Sequence, residues 1–322
     1  MIGKVSPAEL VELVCTHTGA DDTALLQGPA YGEDTAAIAL GDHILVVNAD
    51  PLSLAADSVG TLAIHVVAND IAASGADPRW VTNTMFLPDD NPDQLQQIIT
   101  QLHAAATELG ITIVGGHTEY LPSLERPLLS LTCLGITDTY VPTGGATPGD
   151  VLMLAGAAGI EGTAILANDF AETLRERGIS PETIQSARGF LDDISIVPIA
   201  SQLRDFTTSM HDPTEGGLTA GLVELAHASS TQLSVDLDAI PIRPETDEVC
   251  TAMDVDPLAI FGSGALLCTL PDDRINEAKF AAADIGVSLT TIGRVGDGKP
   301  RVQLGDASIS EAPRDELYAL WE

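Results

Sequence analysis

Short apolar runs, each the length of one strand, alternate with stretches of helical periodicity along this 322-residue chain. That pattern confines the fold to layered helices and sheets, α+β or α/β. AAIAL (36–40) and ILVVNA (44–49) flank a turn at Gly41-Asp42, which suits a hairpin whose second strand ends at Asp50. A helix is expected over 58–74, with Ser58 as N-cap and Gly75 closing it. A strand over 80–87 follows the Pro78 turn. Asp93 to Leu109 is an amphipathic helix whose stripe is Leu95, Ile98, Ile99, Leu102, Ala106 and Leu109. ITIV (111–114) reads as a buried-type strand running into Gly115-Gly116, and 128–136 as another strand. The turn-rich PTGGATPGD (142–150) marks a boundary between domains 1–148 and 149–322. Beyond it, strands are expected at 151–155, 232–237, 263–270 and 288–294, and helices around 160–177, 181–191 and 216–229.

Charge narrows the function classes. Fourteen Lys+Arg against 47 Asp+Glu give a net charge of −33, while 45 % of residues are hydrophobic. A disordered acidic chain would lack that apolar content. Nucleic acid and anionic membrane surfaces demand clustered basic residues, and none occur. Lysine occurs only at Lys4, Lys279 and Lys299. Excess carboxylate with so little lysine suits a halophilic, salt-rich cytoplasm, because 1 M salt shortens the Debye length to about 3 Å and screens self-repulsion; the alternative is an ordinary acidic protein. MIGKVSPAELVEL reads as a lead into a helix with Pro7 near its first turn, not as a secretory signal. No apolar run reaches the roughly 18 residues of a membrane span. Cys15, Cys133, Cys250 and Cys268 form no C-x-x-C pair and are expected to be buried, reduced thiols of a cytoplasmic protein.

Polar clusters stand at the ends of the apolar elements: Gly32-Glu33-Asp34, Asn48-Ala49-Asp50, and Gly115-Gly116-His117-Thr118-Glu119. In so acidic a chain each carboxylate taken alone is most simply a solvated turn residue. Asn69-Asp70 is different, because it interrupts the apolar HVVANDIAAS and both residues are poor helix formers. Buried, Asp70 requires a partner, a hydrogen-bond network or a metal; the alternative is a partly exposed helix face, which His65 could share. If Asp34, Asp50 and Asp70 converge, they make an oxygen-rich site suited to Mg²⁺ and phosphates. His211-Asp212-Pro213-Thr214-Glu215-Gly216-Gly217 precedes a helix, where backbone N–H groups suit a phosphate, or where Thr214 or Asp212 serves simply as an N-cap. No P-loop, G-x-G-x-x-G after the first strand, or G-x-S-x-G elbow occurs.

Taken in order, GEDTAAI (32–38), VVNADPLS (46–53), HVVANDIAASGADPRWV (65–81), ITIVGGHTE (111–119) and MHDPTEGGL (210–218) resemble the AIR synthase-related superfamily of PurM and HypE, across roughly residues 30 to 300. The NDIAASGADP and DPTEGGL segments are most similar to the hydrogenase maturation branch and its archaeal paralogues. The resemblance implies a two-domain PurM-like fold whose N-terminal halves pair across a homodimer into a β-barrel, above a C-terminal α/β layer. It implies ATP and Mg²⁺ as cofactors, with Asp34, Asp50 and Asp70 holding the metal. Asn69, Gly115, Gly116, His117 and Thr214 would contact nucleotide, and His117 and Asp212 would be catalytic. The implied chemistry is phosphoryl transfer to an amide- or carbamoyl-type oxygen of a small substrate, a task of positioning and charge neutralisation. The hydrogenase branch ends in a reactive cysteine, whereas here the last residues are ELYALWE and the last cysteine is Cys268, so an altered acceptor is expected. The alternatives are a non-catalytic nucleotide-binding partner or sensor, and a kinase similar to thiamine-monophosphate kinase.

Overall fold

Residues 3–53 and 58–322 are described by the structure, a computed structural model. The chain forms two units, one of Asp22–Gly28 and Asp34–Tyr140, the other of Met1–Asp21, Pro29–Glu33 and Val141–Glu322. The sequence-based boundary lies in the same turn-rich stretch, but the first 21 residues pack with the later unit. Lys4 makes two of the contacts that tie this segment there: its backbone N–H donates to Glu215 Oε1 at 3.0 Å, and its Nζ lies 3.5 Å from Glu224 Oε1.

The smaller unit carries β1 (Leu25–Gln27), β2 (Ala36–Leu40), β3 (His43–Leu52), β4 (Asp77–Leu87), β5 (Thr112–Tyr120) and β6 (Leu128–Thr137). They form one sheet in the order β1-β2-β3-β6-β4-β5. The β2–β3 hairpin closes at Leu40↔His43 around Gly41, whose φ of +64° is the left-handed conformation a two-residue hairpin turn needs. β3 runs two residues past Asp50, to Leu52, because β6 pairs with it throughout.

One face of this sheet is covered by the helix Val59–Ala73. Gly135 on β6 permits the close approach, since a Cβ there would overlap Ile71 Cγ2 and lie 2.8 Å from the Asp77 carbonyl. Ser58 occupies the N-cap position but its side chain caps nothing, contrary to expectation; Gly75 does follow the helix at φ +78°. The helix Pro92–Glu108 is capped by Asn91, whose side chain accepts from Asp93 N and Gln94 N. Of its expected stripe, Ile98, Leu102 and Ala106 are buried, Ala105 joins them, and Ile99 is instead 46 % exposed because the buried arc is narrower than the apolar one.

β5 is the chief departure. ITIV reads as a buried strand, yet every residue of β5 is exposed, with Ile113 at 42 % and Val114 at 54 %. Only Ile111, just ahead of the strand, is buried. The reason is position: β5 is an edge strand paired on one side only, parallel to β4.

The larger unit carries β7 (Val151–Ala155), β8 (Ser209–His211), β9 (Gln232–Val235), β10 (Leu266–Leu270), β11 (Leu289–Gly296), β12 (Arg301–Leu304) and β13 (Ala307–Ile309), in the order β13-β12-β9-β11-β7-β10-β8. β7 and β10 are buried at every residue, as strands covered on both faces must be. One core joins Leu152, Leu154, Leu267 and Ile292 of the sheet to Leu218, Leu222 and Leu225 of the helix Gly217–Ala228. A second core joins the helices Ile160–Asp169, Ala171–Glu176, Pro181–Arg188 and Pro244–Met253. The helix expected over 160–177 is broken at Phe170.

Candidate active site

Within the smaller unit the candidate residues sort by sheet register. Asp50 on β3 is paired with Leu131, Leu131 with Asn83 on β4, and Asn83 with Gly116 on β5. Leu131 and Cys133 lie on the buried, helix-covered face, so their partners Asp50 and Asn48 lie on that face too. From the helix above, Asn69 and Asp70 are 0 % and 5 % exposed, which excludes a partly exposed helix face. His65, one turn earlier, is buried as well; burial holds its imidazole below the ordinary range, favouring the neutral ring.

Asn48 connects these elements. Its Nδ2 donates to Asp70 Oδ2 at 2.7 Å and to Asp50 Oδ2 at 3.0 Å. Asp34, in the turn ahead of β2, places a carboxylate oxygen within 4.8 Å of one from Asp70. Asp34 is exposed, Asp50 half-buried and Asp70 buried, so the group runs from the surface into the helix–sheet junction. Thr35 and Ser74 support the base of this junction through a buried hydroxyl pair at 2.7 Å.

Gly115, Gly116 and His117 are not brought to this group. They lie on the edge strand, three strand spacings from Asp50, about 14 Å across the sheet. Gly116 has φ +152°, and a Cβ there would overlap the Asn83 carbonyl; at Gly115 a Cβ would meet nothing within 4 Å. His117 is exposed, with Nε2 3.1 Å from Glu119 Oε2.

In the larger unit, Asp212 follows the edge strand β8 and is 2 % exposed. Neither Asp212 nor Thr214 caps the following helix; Gly216, at φ +81°, takes the N-cap position. The Thr214 carbonyl accepts from Gly217 N and Gly262 N, both at 3.0 Å, which ties the loop to the Gly262-Ser263-Gly264 turn. Its neighbour His211 places Nε2 3.1 Å from Glu224 Oε2, in reach of Lys4 on the other oxygen.

Glu161 and Asp315 are among the buried acids that sequence reasoning does not single out. Glu161 is wholly buried and burial raises its pKa, opposed by the Ser263 hydroxyl and amide. Its signal was visible, a lone acid in the apolar GAAGIEGTAILA. Asp315 accepts from Gly216 N at 2.8 Å and Leu317 N at 3.0 Å, and burial pushes it up to about 7. Nothing in the polar stretch around it announces burial.

The donor set around Asp70 fits a hard divalent cation. It consists of carboxylate oxygens, those of Asp34 and Asp70 lying within 4.8 Å of one another. Among the described residues no sulfur or imidazole ligand joins this group.

Comparison with known proteins bears on the family and the two-domain fold. The model for the N-terminal domain of AIR synthase related proteins matches residues 32–137, and that for their C-terminal domain matches 147–305. Carbamoyl dehydratase HypE of Cupriavidus necator is 30 % identical over 294 residues, 85 % of this chain and 80 % of that protein. A ThiL structure complexed with AMPPCP and TMP superposes with a TM-score of 0.77 at 22 % identity, covering 96 % of each chain. A structure of the hydrogenase maturation protein HypE in complex with ATP gives 0.71 at 21 % identity, covering 98 % of this chain and 96 % of that one. With both domain models matched in order and a HypE relative aligned over most of its length, this chain belongs to the AIR synthase related family.

Proposed function

We propose that this protein is an ATP-using enzyme that, with Mg²⁺, transfers a phosphoryl group to an amide- or carbamoyl-type oxygen of a small substrate. The observation that carries the reading is the junction where Asn48 joins Asp50 to the buried Asp70, with Asp34 beside it. Carboxylates gathered there repel one another unless a cation is shared. Asp34, Asp50 and Asp70 would hold Mg²⁺, which when bound neutralises phosphate charge and orients the transferred group. A relative named carbamoyl dehydratase, and a similar fold complexed with ATP, support this choice of chemistry.

The remaining residues take roles within the same reading. Asn69 beside Asp70, the Gly115-Gly116 backbone and Thr214 serve nucleotide binding, with His117 joining the glycines at the end of the nucleotide away from the phosphates; Asp212 serves proton and phosphate handling. The new oxygen–phosphorus bond forms on the substrate as the bond to the ADP leaving group breaks, so orientation is the protein's main contribution. The acceptor is an oxygen of a small molecule. Cys133, Cys250 and Cys268 are buried, and burial pushes their thiols up to about 12, so they offer no thiolate.

The working form is a homodimer in the cytoplasm, with the N-terminal domain (1–148) providing both ATP binding and dimerisation. The exposed edge strand β5 supports this, because a strand bearing Ile113, Val114 and Tyr120 in the open invites pairing with a second copy. So does the sheet face opposite the helix, where Ile38, Leu45, Trp80, Leu134 and Ile136 are only half-buried. Light scattering after size exclusion reads the mass directly.

The ThiL-like fold favours one second reading, a kinase with a stable phosphorylated product. Labelled ATP with Mg²⁺ in molar KCl separates the possibilities. Free phosphate supports the carbamoyl-type reaction, and a persistent phosphorylated product supports the kinase. Nucleotide binding without turnover supports a sensor. Absence of nucleotide binding, or an Asp70→Asn variant with wild-type turnover, overturns the proposal.

A further inference from the structure

Resting on the Mg²⁺ reading above, we infer that Asn48 is the positioning residue of the cation site, bracing two carboxylates into convergence before any cation arrives. The Asn48-Ala49-Asp50 cluster supplied only Asp50 to the proposed chemistry; the structure gives Asn48 a separate task. It lies on β3 two residues before Asp50, so both side chains project from the same face of the sheet, toward the helix that carries Asp70. It is 4 % exposed, and one nitrogen, Nδ2, serves both carboxylates at 3.0 and 2.7 Å.

The chemistry fixes the orientation of the amide. Carboxylates accept only, so NH₂ must face them and Oδ1 must face away from them. An amide suits this place where other polar side chains do not. A hydroxyl has one proton and can satisfy one carboxylate. A lysine would satisfy both but would fill the cation's place with its own charge. The asparagine brings two donors and no net charge, so it reduces repulsion between Asp50 and Asp70 while leaving their negative charge for a cation. Outer residues that orient metal ligands in this manner typically alter metal affinity 10–100-fold when removed.

The test is cation affinity, measured without turnover. Mn²⁺ binding is followed by electron paramagnetic resonance on the full chain in molar KCl, with Mg²⁺ as competitor, for the wild type, Asn48→Leu and Asn48→Asp. Leucine keeps the shape and removes both donors. Expected is a 10–100-fold weaker Kd for Asn48→Leu with an unchanged far-UV spectrum. Asn48→Asp places a third carboxylate in the group, so its melting temperature without cation should fall below wild type and its gain on adding Mg²⁺ should exceed the wild-type gain. If Asn48→Leu fails to fold, this second comparison decides alone. Wild-type affinity in Asn48→Leu, or no larger Mg²⁺ gain in Asn48→Asp, overturns the role of Asn48 while leaving the cation reading intact. A wild-type protein that takes up neither Mn²⁺ nor Mg²⁺ overturns both, an outcome distinct from those that fail the role of Asn48 alone.

Discussion

The buried carboxyl of Asp315 couples stability to pH in a direction opposite to that of a salt-bridged acid. It is 2 % exposed and accepts two backbone N–H bonds, yet desolvation lifts its pKa from the ordinary 3.8 to about 7, helped by Glu161 and Glu215 nearby. Between about pH 4 and pH 7 the folded chain therefore holds a proton that the unfolded chain has lost. Its contribution is fully present below pH 4, declines as pH rises, and levels off above 7. The displacement of roughly three units corresponds to about 4 kcal/mol in all, of which about 3 kcal/mol falls between pH 5 and pH 8. Asp315→Asn cannot ionise and keeps one acceptor oxygen, at a pH-independent loss of about 1 kcal/mol for the other bond. Urea unfolding of both proteins in molar KCl should show the variant gaining about 3 kcal/mol on wild type as pH goes from 5 to 8. A stability difference that is the same at both pH values would refute the reasoning.

Three further outcomes follow from burial and charge. Ellman's reagent should modify one thiol quickly in the native protein, the half-buried Cys15, and reach Cys133, Cys250 and Cys268 only on unfolding. The melting temperature should rise from dilute to molar KCl, because screening relieves a net charge of −33; greatest stability at low salt would sink the halophilic reading. Gly135→Ala should cost about 1–3 kcal/mol in denaturant unfolding, since its methyl group would overlap Ile71 and push the helix Val59–Ala73 off the sheet.

Local signals carried much of the fold. The hairpin at Gly41-Asp42 and the helix after Asn91 follow from turn chemistry and periodicity, which act over a few residues. Asn69-Asp70 was legible as an anomaly because polar residues inside an apolar helix must be satisfied in three dimensions. ITIV misled because a run of β-branched residues does not say whether a strand has one neighbour or two; only the assembled sheet puts β5 at its edge. Cys15 was likewise expected to be buried and is only partly so, since it ends a short helical lead with no buried residue. The row joining Asp50 to Gly116 depends on pairing between segments far apart in sequence, and no local pattern encodes it.

Burial also separates the acids that can do chemistry from those that hold the fold. Among the described residues the buried acids are Asp70, Asp150, Glu161, Asp212, Glu224 and Asp315. Several are braces. Asp150 accepts from Thr147 N, Thr147 Oγ1 and Thr208 Oγ1, Glu224 faces His211 and Lys4, and Asp315 has its two amides. In each of these, two or more donors converge on a single carboxylate, which is the arrangement that makes a buried charge tolerable without anything from outside. Around Asp70 the arrangement is different. One amide group donates to both Asp70 and Asp50, and a third carboxylate, Asp34, comes within 4.8 Å of Asp70. Carboxylates drawn this close concentrate negative charge, which a divalent cation neutralises and a further hydrogen bond does not. That convergence, more than the number of acids in the chain, is why we propose metal and phosphate for the smaller unit's helix–sheet junction and stability for the acids of the larger unit's braces.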